Sequence, residues 1–143
     1  ERARASQLSA EAACHFLRAD GYLESKLSSV GHAIAAHSFS ANITPMTPEA
    51  RVLQDADRLE ALGAIGLARM FHVSGAMGGS LFDADDPLAQ QRTLDDRAYA
   101  LDHIETKLLR IVDTMQTAAG RAMADERADW MLSFRTRLLA EIG

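Results

Sequence analysis

The stretch Gln54-Asp55-Ala56-Asp57-Arg58-Leu59-Glu60 sets acidic side chains inside a run otherwise rich in Val, Leu, Ile and Ala. An ionised carboxylate in apolar surroundings costs several kcal/mol unless a cation, a metal or hydrogen bonds compensate it. At least one of these acids therefore needs a strong partner. On a helix, Asp55 and Asp57 project about 200° apart and cannot both face one site. One outcome is ion pairing with Arg51, Arg58 or Arg69. The other is ligation of a hard divalent cation, for which carboxylate oxygen and imidazole nitrogen are suited donors.

A second set of candidates is His103, Lys107 and Arg110, at i, i+4 and i+7 on one polar helix face. Such a row is either a solvated face or, if it lines a cleft, a phosphate grip with Lys107 as point charge and His103 as donor or acid. His37 closes a helix whose apolar stripe it shares, so it points inward, either as a core histidine with one hydrogen bond or as a site residue. His32 lies off that stripe, and spacing offers His15 and His72 no partner. The methionines read as core filler, three of them placed for packing.

The elements that must position these residues are helical. Leu8, Ala12, His15 or Phe16, and Ala19 recur at helical spacing and are stopped by Asp20-Gly21. Leu27, Val30, Ile34 and His37 mark a second helix over 24–37, followed by a loop over 38–46. Thr47-Pro48-Glu49 is a helix start, with a capping hydroxyl, proline and an early acid. From Arg51 to Met70 apolar residues cover nearly the whole circumference, which predicts one continuous buried helix, with Gly63 and Gly66 allowing a bend and a continuation through 71–79. Residues 80–93 read as a surface excursion. Leu101, Ile104, Leu108, Ile111 and Met115 form an amphipathic helix, Gly120 interrupts or loosens the join, and a last helix passes through Trp130, Phe134 and Leu138. No segment reads as a strand.

Three blocks carry a resemblance: His32-Ala33-Ile34-Ala35-Ala36-His37-Ser38-Phe39-Ser40, the acidic stretch continued through Gly66, and Asp102-His103-Ile104-Glu105-Thr106-Lys107-Leu108-Leu109. In this order they resemble the HD phosphohydrolase superfamily, in particular the small bacterial YedJ-like hydrolases, whose metal motif is H…HD…D. The resemblance implies an all-α, HD-domain-like orthogonal helical bundle of about six helices, with residues 1–143 as one helical domain, the C-terminal portion of the whole. It implies that Asp57 is the final metal ligand and that His37, His103 and Lys107 serve catalysis. It further implies a divalent ion (Mn, Mg or Fe) and a small phosphorylated substrate of the nucleotide class. None of His15, His32, His37, His72 and His103 is followed by aspartate. The His and His-Asp motifs are thus expected upstream of a chain that opens on Glu1-Arg2-Ala3 in mid-helix, and this fragment alone is expected to retain no metal.

With a net charge of -5 and scattered basic residues, the chain lacks the clustered Lys and Arg that nucleic acid or anionic lipid requires. No apolar run approaches the length of a membrane span. A lone cysteine, Cys14, fits a reducing, cytoplasmic setting. The reading from a different class is a non-catalytic helical binding or regulatory module on the same scaffold.

Overall fold

The structure, a computed structural model, describes residues 2–143. Glu1, at the opening read as helix interior, lies outside them. The described residues form α1 (Arg2–Ala19), α2 (Glu24–His37), α3 (Pro48–Leu59), α4 (Gly63–Ala76), α5 (Leu109–Val112) and α6 (Ala118–Ile142). The chain is all-α, as its periodicity predicts. Its extended pairing among the described residues is confined to one isolated bridge between Ser80 and Tyr99. No helix among them is long and apolar enough to cross a membrane.

The chain divides into two compact units. The first runs to Arg58 and includes Gln116–Gly120; the second comprises Leu59–Met115 and Arg121–Gly143.

In the first unit α1 stops where expected, at Gly21 with φ +79°. Its buried face is not the expected one. Leu8 and Phe16 are exposed, whereas Ser6 and Ala10 are buried. Small side chains explain this choice, because they let α1 and α2 approach closely. Ser6 Oγ donates to the Ala35 carbonyl at 3.0 Å and Cys14 Sγ to that of Leu27 at 3.3 Å. A Cβ on Gly31 would stand 2.9 Å from Cys14 Sγ. α3 begins as predicted at Pro48, with the Thr47 hydroxyl accepting from Ala50 N at 3.2 Å.

The continuous helix expected from Arg51 to Met70 is two helices. Leu62 is extended and Gly63 takes φ +73°, a backbone conformation that side chains with a Cβ disfavour. Gly66 approaches so closely that a Cβ would collide with the Ala61 carbonyl. Nor is the segment buried all round, since Val52 and Ile65 are exposed.

The second unit has a core of Leu59, Leu62, Leu67, Met70, Leu101, Ile104, Leu108, Ile111, Met115 and Met131. The apolar series Leu101 to Met115 is buried throughout, as its spacing predicts. Met70, Met115 and Met131 are the methionines used for packing; Met46, Met77 and Met123 are exposed. Ahead of α5, Ile104–Leu108 form a π-helical turn closed by Leu109 N on the Ile104 carbonyl. The join before α6 lies ahead of Ala118, so Gly120 does not interrupt it but sits in the first turn of that helix.

Candidate functional site

The acidic stretch resolves into two fates. Asp55 is buried, at 3% exposure, and its carboxylate accepts from Gln116 N, Thr117 N and Thr117 Oγ1 at 2.8, 2.8 and 2.7 Å. Thr117 Oγ1 in turn accepts from Gly120 N at 2.9 Å, so two side chains satisfy the amides leading into α6. A Cβ on Gly120 would collide with Asp55 Oδ2, which accounts for the glycine. The strong partner that a buried carboxylate demands is thus a set of hydrogen-bond donors rather than an ion pair.

Asp57, set in a segment the sequence reading treats as buried, is exposed. Between the two acids, burial pulls the Arg58 guanidinium below its ordinary value while Asp55 and Asp57 oppose that fall. Arg58 also lies over the Phe39 ring, 5.6 Å from its centroid.

His37 is half-buried at the end of α2, with Nδ1 2.6 Å from the Ile34 carbonyl. No hydrogen bond joins it to Asp57 among the described residues. Buried Gln54 ties down the backbone around it, donating through Nε2 to the carbonyls of Ala36 at 2.7 Å and Ile43 at 3.5 Å. His32 Nε2 accepts from Met46 N at 2.8 Å, which gives it a loop-anchoring role.

His103 and Lys107 lie in the second unit, where both line a cavity of about 360 Å³ together with Arg69, Ser74, Asp96 and Arg97. Arg110 does not line it. The π-helical turn after His103 alters the helical phase, so the third member of the expected row leaves the face. His103 Nδ1 is 2.8 Å from Asp96 Oδ2, and Thr106 Oγ1 donates to the same oxygen at 2.9 Å. The hydrogen bond from His103 is the main cause holding the Asp96 carboxyl below the usual range, with Thr106 adding to it against the opposing effect of burial.

The excursion after α4 is a scaffold for this cavity. Buried Asp102 accepts from Arg92 Nη1 at 2.6 Å and Nη2 at 2.9 Å, and from Asp95 N at 2.7 Å. Such a bidentate pair fixes orientation as well as charge. Arg92 also covers the Tyr99 ring at 4.4 Å. Asp95 Oδ1 then accepts from Arg97 N and Ala98 N, and Ser80 bridges Ala98 and Ala100, which places Asp96 and Arg97 on the cavity wall. Sequence reading missed Asp96, Arg97 and Asp102. Their partners lie up to ten residues away across an irregular segment, and no periodicity signals them.

Residues 3–62 match the HD domain family. In the solved structures, an HD-superfamily hydrolase from Bacillus thuringiensis is 33% identical, with a TM-score of 0.72 over 92% of this chain and 61% of that one. The HD-domain match thus covers residues 3–62, and the likeness to an HD-superfamily structure extends over 92% of the chain. A further relative in structure is Bacillus subtilis YpgQ, solved in complex with ADP, at 32% identity and a TM-score of 0.71 over 92% of this chain and 61% of that one. Uncharacterized protein YpgQ of Bacillus subtilis strain 168 is 40% identical over 98 residues, 68% of this chain and 42% of that protein. The chain therefore spans less than two thirds of the length of these relatives.

Among the described residues, no group of three or more His, Cys, Asp or Glu side chains could hold a metal ion. Exposed Asp57 fits the part of one oxygen donor. It does not make a site by itself.

Proposed function

We propose that the protein is an HD-type, metal-dependent phosphohydrolase that cleaves a phosphate ester or anhydride, with a nucleotide as the substrate class. The observation that carries this reading is the contrast between the two aspartates. Asp55 is committed to three donors inside the fold, whereas Asp57 is left exposed on the block that matches the HD domain family. In this reading Asp57 is the final ligand of a Mn, Mg or Fe ion, and the His and His-Asp ligands belong to chain preceding these residues. Asp57 would hold such an ion together with those ligands, and the ion when bound would supply Lewis-acid chemistry toward phosphate and water near neutral pH.

The chain's own contribution lies in its cations and histidines. His103 and Lys107 offer a donor and a positive charge toward phosphate oxygens, and His37 is the further candidate at the end of α2. That a relative binds ADP supports the nucleotide class. The free thiol of Cys14 suits a reducing, cytoplasmic setting.

The test is phosphate or pyrophosphate release from a nucleotide panel by the full-length protein, with and without Mn²⁺ or Mg²⁺. Asp57→Ala is expected to abolish release while the circular dichroism stays helical. Full activity in Asp57→Ala would remove the residue from the metal site, whereas no release by the unmodified protein with any metal would favour a non-catalytic binding module.

A further inference from the structure

The last turn of α2 has no glycine stop, since Ser38 follows it in an extended conformation. Carbonyls at the end of a helix lack partners within it and need donors from elsewhere. Three of them meet side chains here. The Ile34 carbonyl lies 2.6 Å from His37 Nδ1, that of Ala35 accepts from Ser6 Oγ of α1 at 3.0 Å, and that of Ala36 accepts from Gln54 Nε2 of α3 at 2.7 Å. The Ala36 carbonyl belongs to the planar peptide bond that leads into His37, so Gln54 holds the plane from which His37 projects.

Gln54 is 2% exposed, and its Oε1 is buried with no hydrogen-bond partner among the described residues. The amide cannot turn over to relieve this, because its oxygen would then face the Ala36 carbonyl. An apolar side chain of similar length would fill the same space without stranding an acceptor, so packing alone does not account for glutamine at this position. What glutamine adds is the grip of Nε2 on Ala36.

α3 meets the end of α2 at a second point, one turn further on. Arg58 lies over the Phe39 ring, 5.6 Å from its centroid. Gln54 and Arg58 are i and i+4 on α3 and share a face, with Asp57 as their neighbour at i+3. The two contacts therefore bracket His37 in one segment and Asp57 in the other.

We propose that Gln54 is a positioning residue, which through the Ala36 carbonyl fixes the orientation of His37 at the junction where α3 carries Asp57. This rests on the phosphohydrolase reading and adds to it the residue that orients one of its candidates. The far end of the loop is held independently, by Met46 N donating to His32 Nε2 at 2.8 Å and by Arg51 Nε donating to the Pro45 carbonyl at 3.3 Å. Loss of the Gln54 grip is thus a local event at His37. The ring reports it directly: a carbonyl only accepts, so the contact with Ile34 places the proton of neutral His37 on Nδ1 and the lone pair on Nε2.

The experiment uses the full-length protein and two variants. Gln54→Glu replaces the amide donor by a carboxylate of the same shape, which repels the Ala36 carbonyl, and Gln54→Met removes the donor and the stranded acceptor together. Long-range nitrogen NMR is expected to find neutral His37 in the Nδ1–H tautomer in the unmodified protein and a mixed population in either variant. Phosphate release from a nucleotide with Mn²⁺ should fall roughly 10- to 100-fold in kcat, the range for outer partners that orient site residues, with KM little changed. Arg51→Ala, which loosens only the far end of the loop, should leave both readouts at the parental level. An Nε2–H tautomer in the unmodified protein, an unchanged His37 ring in both Gln54 variants, or an equal loss in Arg51→Ala would each overturn the proposal. Gln54→Met and the tautomer of the unmodified protein keep the test decisive if Gln54→Glu fails to fold. No release by the unmodified protein under any metal, with a His37 ring that still shifts in the Gln54 variants, would remove the phosphohydrolase reading and leave the grip on His37 standing. Metal-dependent release at the parental kcat in both Gln54 variants would do the reverse.

Discussion

Asp55 and Asp57 are separated by one alanine, and the fold gives them opposite environments. Asp55 answers three donors at the entry to α6, so removing its carboxylate strands two amides and a hydroxyl. Hydrogen bonds to a charged group contribute about 1.5–3 kcal/mol each, and a stranded buried donor adds its own penalty. Asp55→Ala should therefore lower stability by at least about 3 kcal/mol, read as a shift in the urea midpoint at constant slope. Asp57→Ala, at an exposed position, should stay within about 0.5 kcal/mol of the parent in the same measurement. Comparable losses in the two variants would contradict the division of roles. The sequence shows that one acid in this stretch must be compensated. It does not show which, because that depends on where the residues before α6 return to meet α3.

The segment between α4 and the π-helical turn shows how an irregular element can be rigidly specified. Asp83 is held below the usual carboxylate range chiefly by the Asp86 amide, then by a hydrogen bond from Tyr99, while Asp86 is held down by the amides of Gln91 and Gln90. Groups with depressed values contribute stability that is present above their unfolded pKa and lost as pH falls through the folded value. The window is therefore acidic, below about pH 4. The amide protons of Gln90 and Gln91 are expected to shift together as these carboxylates protonate between pH 4 and pH 2. Constant amide shifts across that range would show that the carboxylates do not hold the loop. Composition marks this stretch as loop, rich in Asp and carrying Pro87, but the bidentate grip of Arg92 on Asp102 that organises it leaves no periodic trace. The helices that were readable, such as α2 and the series Leu101 to Met115, are those in which one apolar face repeats at helical spacing.

For the molecule as a whole, a net charge of -5 and the concentration of cations in one small cavity separate anion recognition from nucleic-acid binding. Phosphate-backbone affinity grows with the number of cations presented along a surface. A duplex of mixed sequence is expected to show no retardation by the full-length protein in an electrophoretic assay at 0.15 M salt. Binding there with the usual steep salt dependence would argue for a basic stripe that neither the composition nor the cavity provides.

By itself the sequence determined the all-α class, the bounds of α2, the start of α3 at Pro48 and the HD-domain likeness that residues 3–62 carry. These depend on local spacing, capping and short motifs, which neighbouring residues in the chain encode. Only the tertiary structure decided that the helix after Arg51 breaks at Gly63, that Asp55 is buried and Asp57 exposed, and that Asp96 and Arg97 join His103 and Lys107 on one cavity wall. Each of those outcomes depends on what a distant segment places against the residue: Met131 on Gly63, Thr117 on Asp55, and Ser80 on the backbone at Ala98 and Ala100 just after Arg97. Burial and partnership are properties of that packing, and hydrophobic patterning along one helix specifies only the face it tends to bury.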